Sequence, residues 1–440
     1  MAICIIGGGP AGLSTALTLR NYGFDVTLLE ASTYDNYCAG EHLVAQGIHV
    51  LETLNLPNIV WENNSVKCYE IKSAWGESEF YSKDSILNPY GEGVLLSRPA
   101  FDRDFAEFIK SKGVNLISNA RVAHLQRQSG KWLIQYNYEN KKRELITDFV
   151  IDASSRNTKF ASVFGVKKIK YDNLIGITIF CSPINIKQSI KGSMLIEAVE
   201  KGWWYSTVLK DDTLVATFMT DANIVKEIGS IEKALQYFVN SSNEIKRILS
   251  TYKKYNQIHA VSAKSQILSQ IAGENWLAVG DSAWSADPLS SQGIFKAVTM
   301  GMKAAEAINE LFSGNSLALK NYENYFRKEF HLYIKTRAKY YRMETRWCGE
   351  NFWKRRQKLN WLEIPITIDP FQKINVTNVD FPNKREHLKS VAPSIDMTLL
   401  SSILESSTTA FDAISNYKRH SSHNSDDREI IIAVQELMDF

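Results

Sequence analysis

The first dozen residues constrain this chain more than any other stretch. Met1-Ala-Ile-Cys-Ile-Ile-Gly7-Gly-Gly9-Pro10-Ala11-Gly12 runs as a short apolar strand into a glycine turn, and Leu13 to Arg20 leaves that turn with helical character. Gly7 permits the tight turn, Gly9 lets the backbone approach a pyrophosphate, and Gly12 lets helix and strand pack closely. A second apolar strand, Phe24 to Glu30, ends in a carboxylate at the spacing expected of an acceptor for a ribose hydroxyl. The segment reads as a βαβ dinucleotide fingerprint, with the phosphates on the helix N-terminus. Glu30 would repel a 2′-phosphate, which argues against NADP at this fingerprint; FAD or NAD remains.

With 440 residues the chain is long enough for two domains and a smaller appendage. A net charge of +3, with no nucleic-acid motif, gives no case for a nucleic-acid partner. The glycine motif begins too early to leave room for a signal peptide, and no apolar run approaches a membrane span, so a cytoplasmic protein without membrane association is expected. Cys4, Cys38, Cys68, Cys181 and Cys348 are scattered and odd in number, and the eight histidines lack ligand spacing; neither disulfides nor a metal site is expected.

Ala31 to Tyr37 reads as a loop, Cys38 to Leu43 as the opening of a helix that runs through Leu54, residues 66 to 96 as strands, and Arg98-Pro99 as the start of a helix ending at Gly113. Strands follow from Val114 to Ile151, with a turn at Ser129-Gly130. Leu174 to Met219 is again β, and a helical stretch runs to about Tyr252. From Leu317 the pattern is a long helix rich in aromatics and bases, through to Arg356. Residues 357 to 396 are broken by Pro365, Pro370, Pro382 and Pro393; Ser415 to Arg428 reads as a loose linker and Glu429 to Met438 as a short amphipathic helix. The expected architecture is α/β: a doubly wound cofactor domain from residues 1–65, 97–160 and 268–315, a β-sheet substrate domain from 66–96 and 161–267, and a C-terminal helical region, 316–440.

Asn275 to Asp281 is another buried strand, delivered to a Gly280-Asp281 turn. A carboxylate there can accept hydrogen bonds from the polyol of a ribityl chain, which NAD lacks. The helix that opens near Gln292-Gly293-Ile294 would aim its N–H groups at the pyrimidine end of a flavin, where negative charge collects on reduction. FAD is therefore the expected cofactor.

At this point the chain resembles the glutathione-reductase-like FAD monooxygenases, in the branch that contains tryptophan halogenases and their non-halogenating relatives. Gly7 to Gly12, the Asp152-Ala153 turn, Gly280-Asp281 and Asp287-Pro288-Leu289-Ser-Ser-Gln292-Gly293-Ile294 fall in the family's order. Gly40-Glu41 and Arg98 resemble its other flavin-contacting positions, and Val122 joins the expected cofactor-binding set. Two departures argue against halogenation: Gly202-Trp203-Trp204-Tyr205-Ser206 replaces the halogenase Gly-Trp-x-Trp-x-Ile-Pro segment, and Gln292 stands where halogenases carry a threonine. The Gly202-Trp-Trp-Tyr-Ser segment and the run from Tyr340 to Arg356 look more like the narrower group of LodB, GoxB and QhpG-type flavoproteins.

That resemblance implies an O₂-dependent monooxygenase that hydroxylates a tryptophan of a partner protein, the precursor of a quinone-cofactor oxidase, with electrons from an external reductant or flavin reductase. A small-molecule aromatic hydroxylase or halogenase, or a non-catalytic flavin-bound chaperone, are the rivals. Glu41 and His42 are candidate acids or bases, and Trp204 and Tyr205, with Trp203 and Trp284, are expected to line a dry cavity that stacks an indole. Between Phe326 and Arg356, ten Lys or Arg stand against three Glu, which suggests docking of an acidic partner.

Overall fold

The computed structural model describes the chain apart from residues 36, 39, 86–87, 157–159, 161–162, 185–190, 254, 256, 358–380, 422–426 and 439–440. It divides into two compact units, Met1–Phe326 with Met343–Trp353, and Arg327–Arg342 with Lys354–Phe440.

The first unit is built on a six-stranded sheet. Strand β1 (Ala2–Ile6) pairs in parallel with β2 (Asp25–Leu29) on one side and with Phe149–Asp152 on the other, and helix α1 (Pro10–Asn21) connects β1 to β2. Asn115–Ile117 extends the sheet beyond β2, and Trp276–Ala278 extends it beyond Phe149–Asp152. The chain thus moves outward from β1 in one direction, then returns to β1's other side. Right-handed crossovers in opposite directions lie on opposite faces of a sheet. The returning crossover is an antiparallel meander, Arg121–Gln128, Lys131–Tyr138 and Lys141–Thr147, held by the Trp132 indole N–H donating to the Asn275 carbonyl at 2.9 Å. The reversal makes the C-terminal ends of β1 and Phe149–Asp152 a topological switch point, where open α/β sheets bind ligands.

The second sheet of this unit has seven strands, in the spatial order Ile258–Ser262, Leu174–Cys181, Leu214–Asp221, Gly202–Val208, Ser193–Val199, Glu70–Ala74 and Tyr81–Asp84. Side chains alternate across it. Trp204 and its cross-strand partner Phe218 turn to one face, where Phe238 of the helix Ile231–Asn240 stacks on Phe218 at 3.9 Å. Tyr205, Thr217 and Thr178 turn to the other.

Three local expectations change in the structure. Glu41 and His42 precede a helix rather than belong to one, because His42–Leu43 pairs with Val94–Leu95 and the helix begins only at Ala45. The long basic helix stops at Arg342 and resumes at Asn351–Gln357. Between them the buried Glu344 accepts the Gly76 amide at 2.8 Å and Arg346 Nη2 at 2.6 Å, tying the segment to the seven-stranded sheet instead of continuing the helix. The expected linker, Ser415 to Arg428, starts inside the helix Ala410–His420, which Thr409 and Asp412 open with a capping box and whose Tyr417 is fully buried. Pro365 and Pro370 lie outside the described residues.

The second unit carries the helices Phe381–Val391, Met397–Ser406, Ala410–His420 and Asp427–Met438, which share a core of Leu388, Leu400, Leu404, Tyr417, Ile432 and Leu437. Arg356, expected on a docking surface, is 2% exposed, with its guanidinium over the Tyr341 ring. Among the described residues no helix is long and apolar enough to cross a membrane, and no group of three or more His, Cys, Asp or Glu side chains is arranged to hold a metal.

Candidate functional site

The glycine turn occupies the switch point. Gly7, at φ +110°, donates its amide to the Leu29 carbonyl at 2.9 Å, and the Ala153 amide donates to the Ile6 carbonyl at 2.9 Å, so the turn is fastened to both neighbouring strands. A Cβ on Gly7 would lie 2.7 Å from the Ala153 carbonyl carbon, and one on Gly280 would lie 2.6 Å from Ala11 Cβ. Only small residues fit this knot. Gly9 differs, because a Cβ there meets no atom within 4 Å. Pro10 opens α1 with no acidic residue in its first turn and no side-chain cap, which leaves the first N–H groups available to an anion. The Glu30 carboxylate accepts the Gly8 and Ser32 amides at 2.6 and 2.7 Å, holding it beside the turn with lone pairs to spare.

The other expected cofactor residues are arranged around this cradle with unequal roles. Asp152 is fully buried and accepts the Ser154 amide and hydroxyl at 3.0 and 2.6 Å, so it shapes its turn. Asp281 accepts Arg156 Nε and Lys296 Nζ, both at 2.7 Å; burial opposes its ionisation, but these cations hold it well below the ordinary carboxylate range. Pro288 opens a short turn in which Asp287 accepts the Leu289 amide, and Ser291 adopts φ +52°. That brings Gln292 and Gly293 to the exposed start of the helix Gly293–Phe312, whose Ile294 is buried. Arg98 forms a buried pair with Asp102 at 2.9 Å and donates to the Gly40 carbonyl at 3.3 Å. Val122 lies on the first meander strand, two residues beyond Ala120, whose amide donates to the Glu30 carbonyl.

Glu41 is the chemical centre of the catalytic candidates. It is 3% exposed, and its carboxylate accepts the Tyr205 hydroxyl and, at 3.3 Å, the Tyr37 hydroxyl. Thr178 and Thr217 bond to each other at 2.8 Å beside those two tyrosines, on the sheet face carrying Tyr205. Burial pushes the Glu41 carboxyl above its usual range, with the Tyr205 hydrogen bond and the Arg98 charge opposing. His42 is drawn down to about 4 by burial, and its Nδ1 has no hydrogen-bond partner. It is a neutral imidazole at physiological pH. Trp204 does not join this group. Its indole N–H donates to the Phe238 carbonyl at 3.3 Å on the helix-covered face, where it serves as core.

The FAD binding domain model matches residues 1–328. The chain belongs to the FAD binding domain family. It is similar to the FAD-dependent oxidoreductase LodB of Marinomonas mediterranea, at 28% identity over 82% of this chain and 97% of LodB. Its fold is that of the myxobacterial chondrochloren halogenase CndH (TM-score 0.74, 19% identity, 95% of this chain and 96% of that one). It is also that of QhpG, a peptidyl tryptophan dihydroxylase essential for tryptophylquinone cofactor biogenesis (TM-score 0.68, 20% identity, 85% and 81% covered). The protein is an FAD-dependent oxidoreductase.

Sequence reasoning did not single out three residues, Tyr37, Arg156 and Lys296, that the structure joins to the candidate residues. Tyr37 carries no local signal. Arg156 stands at the end of the Asp152-Ala-Ser-Ser turn, and Lys296 is a charge in the first turn of an otherwise apolar Gly293-Ile-Phe-Lys-Ala-Val stretch. A lysine so placed against apolar neighbours is the signal that could have found it.

Proposed function

We propose that this protein is a monooxygenase that uses FAD to hydroxylate a tryptophan side chain of a partner protein, the precursor of a quinone-cofactor oxidase. The reading is carried by Glu41, a buried carboxyl bonded to two tyrosines between the cradle and the seven-stranded sheet. It is supported by the likeness to LodB and to QhpG, whose own substrate is a peptidyl tryptophan.

The residues present suit FAD. The open approach at Gly9, bounded by Gly7, Pro10, Ala11 and Gly12, suits a pyrophosphate on the N–H groups of α1. Glu30 would accept the ribose hydroxyls, with Val122 near the same end, and Asp281 the ribityl hydroxyls. Gly280 and Ala153 keep the backbones close, Asp152 holds its turn, and Pro288 sets up the start of the helix at Gln292, Gly293 and Ile294. Arg98 and Gly40 would border the flavin. Bound FAD, reduced by an external donor or flavin reductase, would supply activated oxygen from O₂.

The chain's part is to orient the indole, exclude water and move a proton. Hydroxylating an aromatic carbon releases the proton that carbon held. Glu41 is suited to take it through the Tyr205 hydroxyl, since burial makes its carboxylate a stronger base than an ordinary one. Tyr205 would offer its ring to an indole, whereas Trp203, on the same strand face, is buried against Trp75. His42, neutral and with an open Nδ1, can accept one hydrogen bond.

Co-expression with an oxidase precursor that carries tryptophan and cysteine available for cross-linking tests the reading by peptide mass spectrometry. Added oxygen on a tryptophan of the precursor is expected, and its loss in Glu41→Gln. Efficient turnover of free tryptophan with an unchanged precursor would refute it in favour of a small-molecule hydroxylase.

A further inference from the structure

Two cations grip one carboxylate beside the cradle. Lys296 Nζ donates to Asp281 Oδ1 at 2.7 Å and to the Trp284 carbonyl at 2.7 Å, and lies 4.2 Å from the centre of the Trp284 ring. Arg156 donates to Asp281 Oδ2 at 2.7 Å and to the carbonyls of Ser262 and Ala286 at 3.3 and 3.0 Å. Beyond Asp281, the partners of both cations are neutral. On the far side of Arg156, Lys168 and Asp152 act on each other, so their charges offset. The cluster of Arg156, Lys296 and Asp281 therefore carries one surplus positive charge.

That surplus is costly where it stands. The Lys296 side chain is 11% exposed, and burial pulls its ammonium below the ordinary value, with Asp281 opposing and Arg156 adding to the effect. Lys296 also occupies the first turn of Gly293–Phe312, where the helix dipole disfavours a cation. Holding Asp281 does not require it, because Arg156 already makes a direct contact to that carboxylate. A buried cation kept against both costs fits an anion that forms when the site is loaded.

We propose that Lys296 is a positioning residue whose ammonium is the counter-charge for reduced FAD, favouring the anionic reduced form and binding reduced FAD more tightly than oxidised FAD. The inference rests on the FAD placement proposed above. Asp281 keeps the ammonium at the site while the flavin is oxidised, and reduction supplies the charge that balances the cluster. The same preference makes the protein-bound flavin easier to reduce by an external donor.

The test is the two-electron midpoint potential of bound FAD in the parent, Lys296→Met and Lys296→Arg, with FAD affinity measured alongside. The methionine variant should lose about tenfold to a hundredfold in the ratio of reduced to oxidised affinity, a fall of about 30 to 60 mV. The arginine variant should stay near the parent. The parent needs no variant: between pH 6 and pH 8 its potential should fall by about 30 mV per pH unit, one proton per two electrons, rather than about 59 mV for two protons. A parent slope near the larger value, or a methionine variant whose potential is unchanged, overturns the role. If Asp281→Ala lowers affinity for both redox forms while Lys296→Met leaves the potential alone, only this inference fails. If neither change affects FAD, the placement of the cofactor at Asp281 fails with it.

Discussion

Gly9→Ala should give a protein that folds as well as the parent and holds no flavin. Gly9 sits at φ −77°, ψ 179°, extended backbone that alanine adopts freely and that a residue before proline prefers. Its new methyl would meet no protein atom within 4 Å. Restricting the unfolded chain favours the folded state by about 0.4–1 kcal/mol, so the apoprotein should melt about 1–3 °C higher or unchanged. The same methyl would stand where a pyrophosphate must approach the backbone. Losing two charge-assisted hydrogen bonds at about 1.5–3 kcal/mol each weakens FAD by roughly two to four orders of magnitude. Gly12→Ala is the contrasting change, because its methyl would overlap the Gly7 carbonyl oxygen, with the Gly7 carbon at 3.1 Å and Ala153 Cβ at 3.3 Å. Backbone must move, at a cost of about 1–3 kcal/mol or more, and stability and flavin should fall together. The assays are flavin absorbance after desalting, FAD titration of apoprotein, and thermal melting. A Gly9→Ala protein with a full flavin complement, or one melting several degrees below the parent without FAD, would refute the reasoning.

Three further outcomes follow from the site and the core. Because burial raises Glu41, the folded state holds this proton more tightly than the unfolded chain, and stability is lost as pH rises through the raised value; Glu41→Gln should raise the melting temperature at neutral pH and reduce turnover, which melts from about pH 4 to pH 8 would reveal. Trp204→Phe should cost about 1–2 kcal/mol in chemical denaturation and leave flavin content and turnover unchanged, whereas a loss of turnover at full stability would return Trp204 to the active site. Burial works against ionised Glu436, but His331, His387 and Lys335, at 2.7, 3.0 and 2.7 Å, hold it well below the usual carboxylate range. Its stabilising effect is thus present above that range and lost as pH falls, and Glu436→Gln should cost about 3 kcal/mol, read as faster hydrogen exchange in Asp427–Met438 with flavin content intact.

The sequence by itself determined the features whose physics is local. Gly7 needs a positive φ, Pro10 opens a helix, and a strand ending at Glu30 puts a carboxylate beside the turn; each follows from a few adjacent residues, and the family match agrees with the FAD reading that Gly280-Asp281 added to them. Pro99 and Gly113 bounded their helix for the same reason. Tertiary structure decided what depended on distant partners. Alternation along Gly202–Val208 separates Trp204 from Tyr205, but only the packing of Phe238 made Trp204's face the core and left the other to Glu41. Glu41 meets Tyr205 across 164 residues, and Arg156 meets Asp281 across 125. No local pattern encodes such pairs, because their energy is that of charge and hydrogen bonding in a dry interior that exists only once both sheets have formed.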